Sequence, residues 1–143
     1  MKKQSGFTVI EVLVVAIVLI SAGGLFLYQK NHIQATARDD RRKADINTIH
    51  HNLEKVYYAQ HKAYPQHLDG ATMPGIHPDT LKDPSGVSIN ETKEGILGET
   101  ETAHSNYRYT PKDCNQETGE CKSYELHTML EMEADYTKES THK

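Results

Sequence analysis

The sequence predicts an α+β protein in which one long N-terminal helix, half membrane-spanning and half amphipathic, packs on a small antiparallel C-terminal β-sheet. Residues 9–27 are almost entirely apolar, although the whole chain has a mean hydropathy of −0.69 and 25% charged residues. Alternating segments on either side of two cysteines predict the sheet. With 143 residues, the chain is long enough for one modest domain plus an anchor.

The apolar segment extends over residues 7–28, which as a helix is roughly 33 Å long and can cross the hydrocarbon core of a bilayer. Lys2 and Lys3 precede it and favour a cytoplasmic N-terminus. A secretory signal peptide has a shorter apolar core, and a plain single-pass anchor is the other alternative. Neither alternative explains Glu11, because an ionisable side chain inside a membrane-spanning helix is costly and indicates a functional partner.

Gly23 and Gly24 lie inside this apolar segment, although each glycine lowers helix stability by about 1 kcal/mol relative to alanine. Close helix packing is one interpretation of the pair. A point at which the helix can loosen is the other.

The order of a lysine-rich leader, Gly6, Phe7, Glu11 and a long apolar run resembles the class III signal of type IV prepilins. The resemblance implies that residues 1–6 are a leader, which a prepilin peptidase removes by cutting between Gly6 and Phe7. It also implies N-methylation of Phe7. The amine of Phe7 on a neighbouring subunit is then the expected partner of Glu11, because two opposite charges excluded from water are tolerated only as a pair.

As a function, the resemblance implies a structural subunit of a type IV pilus. Copies of the chain would pass from the cytoplasmic (inner) membrane into an extracellular helical filament, lifted by an assembly platform and an ATPase. Such filaments serve adhesion, motility or DNA uptake, and nucleic acid is an expected partner only in the last case. Two alternatives stay open: a pseudopilin of a type II secretion system acting in protein export, and a plain membrane-anchored binding module.

The helix is expected to continue through residues 29–63, because the first proline of the chain is Pro65. It should end near residues 61–63, since the residue before a proline avoids helical geometry. Spacings of three and four define an apolar stripe of Ile46, Ile49, Leu53, Val56 and Tyr57, continued by Gln60. The opposite, polar face is predicted to carry His50, Asn52, Glu54 and Lys55.

A mixed run of charges occupies residues 38–45. One interpretation is a solvated helix face with i, i+4 pairs, namely Asp39 with Lys43 and Arg41 with Asp45. The other is salt bridging between stacked subunits.

Residues 64–104 are rich in turn signals and are predicted to form a connecting loop, with one helical turn at residues 78–82. Residues 105–133 are predicted to form the β-hairpin or sheet, and residues 134–143 a frayed polar tail. One face of the second strand is expected to pack on the helix; it comprises Tyr124, Leu126, Thr128, Leu130 and Met132.

Cys114 and Cys121 are the two cysteines of the chain. An even pair outside the membrane segment predicts a disulfide formed in an oxidising compartment, and two free thiols are the alternative.

A net charge of −4 argues against a nucleic-acid-binding surface. The nine histidines show no zinc-type spacing, and no catalytic motif occurs, so neither enzymatic activity nor a cofactor or metal is expected. Related pseudopilins bind calcium near their C-terminal loops. Oxygen ligands from Asp113, Glu117 and Glu120 are the corresponding alternative here.

Overall fold

The computed structural model describes residues 8–93 and 103–142 of the chain. The chain separates into two units, Met1–Thr36 and Ala37–Lys143, and their described parts are called the stem and the head below. The α+β fold is confirmed: one long N-terminal helix packs against a small antiparallel sheet. The elements are α1 (Val9–Asn52), a π-helical segment (Leu53–Tyr57), α2 (Tyr58–His61), β1 (Tyr64–Pro65), a 3-10 turn (Pro78–Leu81), β2 (Thr92–Lys93), β3 (Ala103–His104), β4 (Tyr107–Cys114), β5 (Glu120–Thr128) and β6 (Tyr136–Glu139).

The helical part of the chain is long and apolar enough to span a membrane. Over Val9–His61 the most apolar window has a mean hydropathy of 2.6, and none of that window is buried. The helix ends at His61, where Lys62 adopts a left-handed conformation with φ of 58°. The predicted end near residues 61–63 is therefore confirmed.

The core of the head forms where the apolar stripe of α1 meets the sheet. Ile46, Ile49 and Leu53 have no exposed surface, which confirms the central part of the predicted stripe. They belong to one buried cluster with aromatic and aliphatic side chains from the connecting loop and the strands, including Tyr64, Met73, Tyr107, Tyr109, Tyr124 and Leu126. Burial of these large side chains drives the packing of helix on sheet.

The π-helical segment, which the sequence did not predict, changes which side chains face the core. Its wider turn adds a residue to the helix and rotates the following side chains. Asn52, Leu53 and Glu54 are consecutive buried residues, of which Leu53 and Glu54 belong to the π-helical segment. The assignment of Asn52 and Glu54 to the polar face was therefore wrong, whereas Lys55 is exposed as predicted.

β5 is the central strand of the main sheet. It pairs with β4 along one edge, and with both β1 and β6 along the other. Tyr124, Leu126 and Thr128 are buried as predicted, but β5 ends at Thr128. Leu130 and Met132 lie beyond the strand: Leu130 is half-buried, whereas Met132 is 45% exposed and was wrongly included in the buried face.

Two further expectations concern the segments that flank the hairpin. Residues 134–143 were expected to be a frayed tail, but they contain β6, which adds four residues to the sheet. The predicted helical turn in the connecting loop is present as the 3-10 turn Pro78–Leu81.

The outer edge of β4 is closed to strand addition. The side-chain amide of Asn90 donates to the Tyr109 carbonyl at 2.7 Å and accepts the Tyr109 N–H at 2.9 Å. The Asn90 N–H donates to the Tyr107 carbonyl at 3.1 Å. Further along, Pro111 has no N–H to offer. Association of copies by pairing along this part of β4 is thereby disfavoured.

Cys114 and Cys121 form a disulfide between paired positions of β4 and β5, so that prediction is confirmed. The bond closes the connection between the two strands. Replacing both cysteines by serine is expected to lower the free energy of unfolding by about 2.5 kcal/mol, because the unfolded chain regains the entropy of the open loop.

Denaturant unfolding of the detergent-solubilised chain, with and without a reductant, measures this effect. Reduction of the serine variant serves as the control and should change nothing. Equal stability of oxidised and reduced wild-type protein would contradict the prediction.

Candidate functional site

The start of α1 contains a reciprocal pair of hydrogen bonds around Glu11. The Thr8 N–H and Thr8 Oγ1 donate to Glu11 Oε2 at 2.8 and 3.0 Å. In return, the Glu11 N–H donates to Thr8 Oγ1 at 3.3 Å. This is a capping box, in which a threonine before the first helical residue and a glutamate three residues later satisfy each other's backbone donors.

The capping box fixes the position of the Glu11 carboxylate at the beginning of the apolar helix. Both of its side-chain bonds use Oε2, and within the described residues Oε1 accepts no hydrogen bond. One oxygen is therefore occupied by the chain's own cap, while the other has no partner among residues 8–93 and 103–142. The Thr-x-x-Glu spacing before an apolar run is a sequence signal for this cap, which the sequence reasoning above missed.

Of the predicted processing and assembly residues, the structure describes Glu11 alone. Gly6 and Phe7 lie outside the described residues. Cleavage between them, methylation of Phe7 and the pairing of its amine with Glu11 therefore stay predictions.

The stem beyond Glu11 exposes its apolar side chains on all sides. Every residue from Thr8 to Gln34 is exposed. Continuous apolar surface on this scale is far larger than soluble monomers leave in water. The stem therefore has the apolar surface and the length of a membrane-spanning helix. Its large exposed side chains include Val12, Leu13, Ile17, Leu19, Leu25, Phe26, Tyr28 and Ile33.

Gly23 and Gly24 face open space in the single chain. A Cβ atom built at either position would meet no atom within 4 Å. The glycines are therefore not needed for packing within the described chain. Close packing at these positions would involve a helix of another molecule, and loosening of the helix stays a prediction.

A buried ion pair lies in the first turns of the head. Asp39 is 1% exposed and accepts the backbone N–H groups of Glu131 and Met132, at 2.8–3.0 Å. The Arg42 guanidinium, itself 4% exposed, donates to Asp39 Oδ1 at 2.6 Å. The helix thus holds the loop after β5 through a single carboxylate, in an arrangement called the charge clamp below.

Three further ion pairs complete the charge clamp. Arg38 donates to both carboxylate oxygens of Glu131, at 2.8 and 2.5 Å. Arg42 also reaches Glu131 at 2.8 Å, and Lys43 donates to Glu133 at 2.8 Å. The clamp therefore joins the first head residues of α1 to loop residues some ninety positions later in the chain.

The clamp keeps its acids ionised. Burial opposes the charge of Asp39, but the N–H groups of Glu131 and Met132 and the Arg42 guanidinium outweigh it and lower the pKa of Asp39. Hydrogen bonds from Arg38 lower the pKa of Glu131 to about 2, with Arg42 acting in the same direction.

These contacts decide part of the prediction for residues 38–45. The pair between Arg41 and Asp45 is confirmed at 3.6 Å. The predicted pair between Asp39 and Lys43 is wrong, because the Asp39 carboxylate turns inward and Lys43 contacts Glu133 instead. Salt bridging between subunits stays a prediction.

A second buried carboxylate, Glu54 in the π-helical segment, ties three parts of the head together. Its Oε1 accepts the hydroxyl groups of Tyr64 and Tyr124, both at 2.9 Å, and the Thr141 N–H at 3.2 Å. Burial opposes its ionisation, but the bonds from Tyr124, Thr141 and Tyr64 lower the pKa of Glu54. The C-terminal residues are thereby anchored on the helix.

The same network determines the tautomer of His50. Tyr124 uses its one hydroxyl hydrogen on the ionised Glu54, so its oxygen accepts from His50 Nδ1 at 2.8 Å. His50 therefore carries a hydrogen on Nδ1. Burial lowers the pKa of His50, so its neutral form is favoured.

No group of three or more His, Cys, Asp or Glu side chains is arranged to hold a metal ion in residues 8–93 and 103–142. Glu117, one of the three alternative calcium ligands, lies in the turn that connects β4 and β5, where its backbone N–H donates to the Asn115 side chain.

Together these features define a class of protein: a chain with an apolar helix long enough to span a membrane, one capped acid near the start of that helix, and a small α+β head closed by a disulfide. Comparison of the chain with protein-family models, with curated proteins and with solved structures gave no match.

Proposed function

We propose that this protein is a filament-forming subunit of the type IV pilin kind, processed between Gly6 and Phe7 and then assembled through its stem. The observation that carries the proposal is an entirely exposed apolar helix with a single carboxylate held in place at its first turn. A membrane anchor needs the apolar helix, and its cap does not require a charge, because glutamine serves equally at this position of a capping box.

The capping box supports an assembly role for Glu11. Thr8 binds one carboxylate oxygen, and the other has no partner in the part of the chain that the structure describes, so an incoming cation can bind there without breaking the helix cap. Cleavage before Phe7 creates an amine one residue ahead of Thr8. On a neighbouring copy this amine is a cation of matching depth in the apolar core, so pairing fixes the axial register between copies.

The stem provides the rest of the association energy. Bundling of stems replaces lipid contacts with close helix packing, to which small residues such as Gly23 and Gly24 are suited. The head stays outside the bundle, where its disulfide and its buried ion pairs maintain the fold in an oxidising environment.

The proposal predicts a specific processed product. In cells with a prepilin peptidase and an assembly machinery, intact mass should show a chain that begins at Phe7 and carries one additional methyl group. Electron microscopy of sheared surface material, with peptide identification, should show filaments containing this chain.

A peptidase-deficient strain is the matched control and should retain residues 1–6. A Gly6→Leu variant should behave like that strain in peptidase-competent cells. Retention of the leader by wild-type chain in competent cells would refute the proposal and favour the plain membrane-anchored module.

A further inference from the structure

The loop that joins β5 to β6 presents two methionines to solvent. Met129 is 50% exposed and Met132 is 45% exposed. In the described part of the head they are the only large hydrophobic side chains exposed to this degree; the others lie in the stem. Methionine is common at protein interfaces because its flexible, polarisable side chain adapts to a partner.

The charge clamp holds this loop in one conformation. Asp39 accepts the consecutive N–H groups of Glu131 and Met132. Arg38 and Arg42 bind the carboxylate of Glu131, and Lys43 binds that of Glu133. A loop that is ordered before association loses less entropy on binding. Glu131 and Glu133 already form ion pairs within the head. This pairing lowers the desolvation free energy that a partner must overcome to cover the loop.

The charge of the loop restricts the chemistry of its partner. Residues 129–135 contain three acids and no base. Glu131 and Glu133 are paired with bases of α1, and the third acid, Asp135, contacts the His127 ring. An anionic lipid surface attracts basic segments and disfavours this one. A complementary partner presents apolar side chains together with a cation and no acid.

The stem of a second copy has this composition. No acidic residue occurs between Glu11 and Asp39, and Lys30 lies among large apolar side chains. Leu25, Phe26, Tyr28 and Ile33 are each at least 65% exposed. Residues 25–33 therefore offer the apolar surface and the positive charge that complement residues 129–135.

We propose that residues 129–135 of one copy dock on residues 25–33 of the stem of another copy in the filament. This inference rests on the proposed function and specifies which head segment contacts a neighbouring stem. Met129 and Met132 supply the apolar contact, while Asp135, whose carboxylate contacts the His127 ring within the head, lies next to Lys30 of the second copy.

Photo-cross-linking in assembled filaments tests this contact. A benzophenone amino acid is incorporated at Met132, and heavy-isotope-labelled and unlabelled subunits are mixed before assembly. We expect cross-linked peptides that join position 132 to residues 25–33 with mixed isotope content, in filaments but not in unassembled membrane subunits. The same photoreactive residue at exposed Lys55 is the matched control and should give no such product.

A double variant measures the contribution of the methionines. Met129→Gln with Met132→Gln keeps side-chain length but removes apolar surface, and it should raise the subunit level required for assembly roughly tenfold. Thermal unfolding of the variant should match wild type, since both positions are exposed. A Lys55→Gln and Lys122→Gln variant controls for surface change.

The outcomes separate this contact from the proposed function. Wild-type filaments whose cross-links map to lipid, or to head residues only, would overturn the contact and leave the filament role intact. Unchanged assembly of the double methionine variant would also overturn it. Absence of wild-type filaments in competent cells would overturn both.

Discussion

Glu11→Gln is expected to abolish filament assembly while the processed subunit stays in the membrane. Glutamine occupies the third helical position of a capping box as well as glutamate does, so the helix start and the bonds with Thr8 are preserved. The variant loses only the negative charge. An amine left without its partner in an apolar core costs about 3–5 kcal/mol, which weakens each subunit contact by two orders of magnitude or more.

Two companion variants separate the charge of Glu11 from its capping role. Glu11→Val removes both and should also fail to assemble. Thr8→Val removes the cap but keeps the charge, and it should assemble with a loss of no more than about tenfold, since a helix cap contributes about 1 kcal/mol. Sheared filament yield and the mass of the membrane-bound chain measure both effects. Normal filaments from Glu11→Gln would show that the carboxylate serves the cap alone.

Asp39→Ala is expected to lower the free energy of unfolding of the head by about 3 kcal/mol. The substitution leaves the Arg42 guanidinium buried without its nearest carboxylate and removes the acceptor of two backbone N–H groups. Denaturant unfolding of the detergent-solubilised chain, followed by near-ultraviolet circular dichroism, measures the change. Asp40→Ala is the matched control, because the Asp40 side chain is 70% exposed and should contribute little.

The contribution of Asp39 to the free energy of unfolding should decrease at low pH. Because folding lowers the pKa of Asp39, its stabilising contribution is complete above the unfolded value of about 4 and is lost as the pH falls through the lower folded value. Glu131, with a folded pKa of about 2, behaves likewise. The stability difference between wild type and Asp39→Ala should therefore shrink as the pH falls from about 5 into the range below the unfolded pKa of about 4. A difference that is constant over this range would contradict the assignment.

The candidate site was only partly predictable from the sequence. Glu11 stands out because a single acid interrupts an apolar run, and the Thr-x-x-Glu spacing that caps it is a local pattern. Asp39 and Arg42 do not stand out, since they lie in a run of alternating charges that is typical of a solvated helix face. Their burial depends on a loop that follows β5, more than eighty residues further along the chain.

Local patterns in the sequence determined the apolar stem, the end of the helix near His61, the apolar stripe at Ile46, Ile49 and Leu53, and the cystine-closed hairpin. Only the tertiary structure decided that Glu54 and Asp39 face inward and that Met132 faces outward. Spacing determines which residues share a face of a helix or a strand. Whether a charged side chain is buried depends on donors that distant segments bring to it, and only the folded chain brings them there.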